Sequence, residues 1–146
     1  MVARMIKIPA DESELQVKYI KSFEYPVLNT ELFGPEELIE LVRPRGLQHF
    51  NEQRTDGGII LIVDENGLYK PEPMLNRRAS ILYGTHVHGQ PIVGDVYVSF
   101  EMPIIVEEDG DSYEELGLAS LPSDVTIETI ETAVQQAQDY PSVFAF

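Results

Sequence analysis

The sequence predicts an α+β fold, a small mixed or antiparallel sheet with two or three short helices, and three observations lead there. Ile59-Ile-Leu-Ile-Val63 is a β-branched-rich run bounded by Gly57-Gly58 and Asp64-Glu-Asn-Gly67. That is the pattern of a strand apolar on both faces, placed at the centre of the sheet. Ile127, Ile130, Val134 and Ala137 recur at spacings of three, four and three, opposite Glu128, Glu131, Gln135 and Gln138. This is the stripe of an amphipathic helix over about 126–139. The length, 146 residues at 43% hydrophobic, fits one domain over 1–146 with a single buried core.

The remaining elements follow in chain order. Met5-Ile-Lys-Ile8 reads as a short strand stopped by Pro9. Leu15, Val17 and Tyr19 alternate with Gln16 and Lys18, a half-buried strand. Gly34-Pro35-Glu36-Glu37 has the proline and acids of a first helical turn. Leu38, Ile39, Leu41 and Val42 supply an apolar stripe, so a helix near 35–43 is expected, ended by Pro44. Residues 46–53 alternate weakly and are read as a strand. Asn66-Gly67 is a hairpin signal, with Leu68 to Lys70 as the returning strand. Asn76 can cap a short helix through Leu82. Residues 84–90 form a loop, and 91–100 a bent strand with Gly94-Asp95 at the bend, continued by Met102 to Val106. Residues 107–111 make an acidic turn and Tyr113 to Leu116 one helical turn. Ser123, Asp124 or Thr126 can cap the last helix, Pro141 stops it, and Val143, Phe144 and Phe146 leave an apolar tail.

Charge narrows the function. There are 25 acidic and 10 basic side chains, a net charge of −15, and every Lys and Arg lies between Arg4 and Arg78. Residues 1–78 therefore carry −3 and residues 79–146 carry −12 without one cation. Such a surface repels phosphate backbones and anionic lipids, so neither nucleic acid nor a membrane is expected as a direct partner. Without cysteine, disulfides, thiolate nucleophiles and Cys-based metal sites are excluded. No run reaches the ~20 apolar residues of a membrane helix, and the first residues have no signal-peptide core, so a cytoplasmic location is expected.

Leu38 to Asp111 carries a resemblance. The LIELV segment, the strand-turn IILIVDENG, then LNRRASILYG and HGQPIVGDVYV, followed by an acidic turn and a C-terminal helix, resemble the phage- and plasmid-encoded family called domain of unknown function 3846. IVGDVYV with upstream Asn76 and Ala79 is its most specific part, and the strands before Thr30 depart from the family. The resemblance implies a mobile-element origin and a small α+β fold; it implies no activity and no catalytic residues.

Chemistry-bearing constellations are few. His86 and His88 point to one side of an extended segment and can share a divalent ion. The following Gly89, Gln90, Pro91 and Ile92 supply no carboxylate ligand, so no metal and no cofactor are expected. Glu107, Glu108, Asp109, Asp111, Glu114 and Glu115 do not hold the register of a calcium loop. Gly84, Gly89 and Gly94 are not followed by Gly-Lys-Ser/Thr, and no nucleophile–base arrangement is visible, so no enzyme is expected.

Two readings remain. In the first, the chain is a non-enzymatic interaction protein whose acidic half docks a basic, DNA-binding host protein. Its partner-binding residues are then Glu107, Glu108, Asp109, Asp111, Glu114, Glu115, Glu128 and Glu131. In the second, Arg77, Arg78, His86 and His88 surround a nucleotide-like small ligand. Arginines spent on internal neutralisation of the acidic half would remove the second.

Overall fold

The computed structural model describes residues 2–21, 28, 31–34, 37–52, 57–85 and 89–138. Six antiparallel strands form one sheet: β1 (Ala3–Ile8), β2 (Gln16–Ile20), β3 (Ile39–Val42), β4 (Gly58–Asp64), β5 (Val96–Glu108) and β6 (Asp111–Ala119). Among the described residues, the named helices are α1 (Gln48–Glu52), α2 (Arg77–Tyr83) and α3 (Ile127–Gln138). The expected α+β class is thereby established.

Strand order is β2-β1-β5-β4-β3, with β6 on β5. β4 and β6 both pair with Phe100 and Glu101, so they occupy opposite edges of β5. β6 consequently follows β1 along the same edge, and the Leu121 amide donates to the Arg4 carbonyl at 2.9 Å where they meet. β5, rather than the Ile59–Val63 run, is the middle strand.

The two-residue period of β4 explains its total burial. Ile59, Leu61 and Val63 join Ile6, Ile8, Val96, Val98 and Phe100 on one face, under Leu82 of α2 and Ile130 and Val134 of α3. Ile60 and Ile62 join Met5, Ile20 and Tyr97 on the other, with Leu28 and Leu32. Each such aliphatic side chain stabilises the fold by roughly 1.5–3 kcal/mol. The Thr126 hydroxyl accepts from the Thr129 amide and so caps α3. Asn76 caps α2 through the Ala79 amide at 3.1 Å, while its amide group donates to Ile8 and Gly94 carbonyls at 2.8 and 2.9 Å. One buried side chain thus joins a strand end, a bend and a helix.

Six expectations are corrected. The segment expected as a helix near 35–43 is β3 over Ile39–Val42, because β4 offers it a full antiparallel partner from Leu61 to Asp64. Only four residues pair, too few for periodicity to separate strand from helix. Of the segment 46–53, expected as a strand, the described residues 46–52 are helical. Arg45–Leu47 is a 3-10 turn leading into α1, whose Asn51 amide group caps the start of β4 at Ile59. Asn66-Gly67 makes no hairpin, since Gly67–Tyr69 is a 3-10 turn. The Asp64 carboxylate accepts from the Asn66 amide there, and Gly67 is chosen for lack of a Cβ, which would stand 2.9 Å from the Val93 carbonyl. Tyr113 to Leu116 belongs to β6. Val17 and Tyr19 are exposed on β2, an edge strand whose residues Gln16 to Tyr19 all stay open to solvent. The bent strand begins at Val96, and Val93 forms only an isolated bridge to Leu75. The apolar tail at Val143, Phe144 and Phe146 lies outside the described residues.

Candidate functional site

β5 runs for 13 residues, and its character changes midway: Val96 to Phe100 are buried, while Pro103 onward is largely exposed. Beyond Met102, β6 is the only described strand that pairs with it, and the two make an arm roughly 20 Å long at ~3.3 Å per residue. Asp109 and Gly110 close the arm with φ of +53° and +82°. Two consecutive left-handed residues make a type I′ turn, whose twist matches the strands, and aspartate and glycine are the residues that accept it.

Antiparallel register distributes the side chains between two faces. One carries Met102, Ile104, Val106 and Glu108 opposite Gly117, Glu115, Tyr113 and Asp111. The other carries Pro103, Ile105 and Glu107 opposite Leu116, Glu114 and Ser112. Both mix apolar and anionic groups. Ile105 is 70% exposed, Leu116 57%, Tyr113 44% and Ile104 40%. The Tyr113 hydroxyl donates to Glu108 at 3.0 Å. That bond to a carboxylate, more than partial burial or nearby Glu115, holds the phenol above its ordinary pKa.

Six of the eight acids expected to bind a partner, Glu107, Glu108, Asp109, Asp111, Glu114 and Glu115, share this arm. The other two sit on the helical layer. Exposed Glu128 lines a hollow of about 360 Å³ with His49 and Phe50, and Glu131 lines another with Arg77 and Arg78. The structure therefore brings six of the eight together on the arm and leaves the other two on α3.

Several cations are engaged elsewhere. Arg43 pairs with Glu101 at 2.9 Å and Lys7 with Asp95 at 3.4 Å, both near the body of the sheet. Lys70 bridges Asp64 and Glu37 at 2.9 and 3.0 Å, and these two partners raise its pKa. Arg4 donates to the Pro122 and Val125 carbonyls. Among the described residues no ion pair reaches the six arm carboxylates.

The alternative site is built differently from the expectation. Arg77 holds Glu12 through two hydrogen bonds of 2.9 and 3.1 Å, and Arg78 donates to the Pro9 and Ser13 carbonyls at 2.9 and 2.7 Å. Both guanidiniums fasten the β1–β2 loop, where Glu12 stands at φ +68°. Their hollow is about 160 Å³, below the roughly 300 Å³ of a small-molecule pocket, and Glu131 adds a negative charge. His86 and His88 lie outside the described residues. No group of three or more potential metal ligands occurs among those described, and none of their helices is long and apolar enough to cross a membrane.

Ile104, Ile105, Tyr113 and Leu116 were not among the residues expected to bind. The available signal was Asp109-Gly110, a hairpin turn flanked by two strand-like runs. Reading residues 113–116 as helical concealed it. Compared with known proteins, the chain matches no family model, no curated protein and no solved structure.

Proposed function

We propose that the protein is a non-enzymatic interaction protein whose acidic β5–β6 arm docks a basic, DNA-binding protein. One observation carries the reading: six carboxylates and four exposed apolar side chains stand on one projecting hairpin, with every described ion pair elsewhere. Asp111 lies opposite Glu108, and like charges in register destabilise a hairpin. A cationic surface removes that repulsion on binding, and the apolar residues give it area to cover. The complex forms fast and weakens with salt, as exposed charge pairs do. The mobile-element origin implied by the family resemblance suits such a role, exercised in the host cytoplasm.

The test compares wild type with the quadruple variant Glu107→Gln, Glu108→Gln, Asp109→Asn, Asp111→Asn. Asparagine tolerates the positive φ of position 109, so the turn is retained. Wild type should retain basic proteins from a bacterial lysate and release them as salt rises; the variant should not retain them. Equal retention by both would show that the charge only keeps the protein in solution.

A further inference from the structure

Among the described residues, no strand pairs with the outer edge of β6. Among the described residues, β6 pairs with β5 alone, from Asp111↔Glu108 through Ala119↔Phe100 without a bulge. Edges are commonly blunted by charged side chains, Pro or a bulge; β6 has no Lys, Pro or bulge, and its charges are the carboxylates of Asp111, Glu114 and Glu115. A two-stranded ribbon is marginal in water by itself, and a third strand is the usual remedy.

We infer that β6 accepts an extended, lysine- or arginine-rich segment of another protein as an added strand, an inference that rests on the reading of the arm as the docking site. Charge complementarity chooses this occupant. A second copy of the chain would set six carboxylates against six more, with no Lys or Arg on either arm. A basic segment meets the opposite condition.

Register then describes the segment. One face of β6 presents Asp111, Tyr113, Glu115 and Gly117, and the other Ser112, Glu114, Leu116 and Leu118. A neighbour along the first face carries cations beside Asp111 and Glu115 and an apolar group beside Tyr113. Along the second face it carries a cation beside Glu114 and apolar groups beside Leu116 and Leu118. Backbone hydrogen bonds supply affinity whatever the sequence, and this pattern of side chains supplies specificity.

The probe is a peptide of about ten residues carrying that pattern, with Lys at the positions beside Asp111, Glu114 and Glu115, Val at those beside Tyr113, Leu116 and Leu118, and Thr elsewhere, enough to span β6 at ~3.3 Å per residue. Its control has the same charge and length, with prolines replacing the central apolar residues so that the ladder is broken. Binding is followed by calorimetry at low salt, and backbone amide exchange by NMR on the full chain. The patterned peptide should bind at least about tenfold tighter than the proline peptide, a difference of ~1.4 kcal/mol. It should also slow exchange within Ser112 to Leu118. Equal binding of both peptides would overturn strand addition and leave the acidic docking reading standing. Protection confined to Pro103–Glu108 of β5 would place the added strand on the wrong edge and overturn the assignment to β6. Failure of both peptides to bind would overturn strand addition and the docking reading together. A salt-resistant dimer protected along β6 would show that a second copy is the occupant.

Discussion

Replacing Asn76 by alanine should cost about 3 kcal/mol, a figure assembled from its three side-chain hydrogen bonds. The N-cap bond to the Ala79 amide is worth ~1 kcal/mol. The carbonyls of Ile8 and Gly94 each lose a donor, at ~1 kcal/mol apiece in a side chain with no solvent exposure. For a chain of this length each kcal/mol moves the midpoint by roughly 3 °C, so Tm should fall by about 10 °C. Denaturant unfolding followed by circular dichroism measures it, with the slope unchanged and the midpoint lowered. Asn76→Asp separates the contributions. Aspartate caps a helix as well as asparagine, yet it has no amide donors and aims an anion at two carbonyl oxygens. It should therefore be no more stable than the alanine variant at neutral pH. An alanine variant within ~1 kcal/mol of wild type, or an aspartate variant matching wild type, would refute the three-way junction.

Three further outcomes are expected. Burial, with Asp95 nearby, pushes Tyr97 up to about 12, so the native state keeps its proton where the unfolded chain loses it. That contribution is complete below pH ~10 and fades as pH rises toward 12. Absorbance at 295 nm should show one of the seven tyrosines ionising last, together with unfolding. Replacing Glu108 by Gln and Asp111 by Asn together should raise stability by a few tenths of a kcal/mol through removal of like charges in register, read as a higher denaturation midpoint. Its hydrogen bond to Arg77 lowers the Glu12 pKa below the usual 4.5, so the advantage of wild type over Glu12→Gln should exist above that pH. It should vanish as pH falls through the lowered value, which paired unfolding curves between neutral pH and pH ~3 would show.

The legible parts of the fold are those where one local signal had no competitor. The Ile59–Val63 run could only be a strand buried twice over, and the spacing from Ile127 to Ala137 only a helix face. Two dipeptides show the converse. Asn66-Gly67 and Asp109-Gly110 carry equal hairpin chemistry, yet only the second turns a hairpin. Asp64 captures the Asn66 amide and the Val93 carbonyl presses on Gly67, contacts that no local rule contains. Ile39 to Val42 satisfies a helical stripe and a strand alike, and β4 decides between them. At the candidate site the acids were plain from composition, whereas their confinement to an arm depended on where β5 loses its other neighbours.

The middle position of β5 also governs the order in which the molecule can be assembled. During synthesis β1 and β2 emerge first and can pair, and β3 with β4 follows as a second hairpin. Neither hairpin has a neighbour for its inner edge until Val96 to Glu101 has been made, about two thirds of the way along the chain. Until then Ile6, Ile8 and the whole of β4 have no sheet to enter, and such edges are where nascent chains stick to one another. A ribosome stalled before Val96 would release a fragment of two unmatched hairpins. The strand that reaches outward to form the arm is thus also the one on which the inner sheet waits.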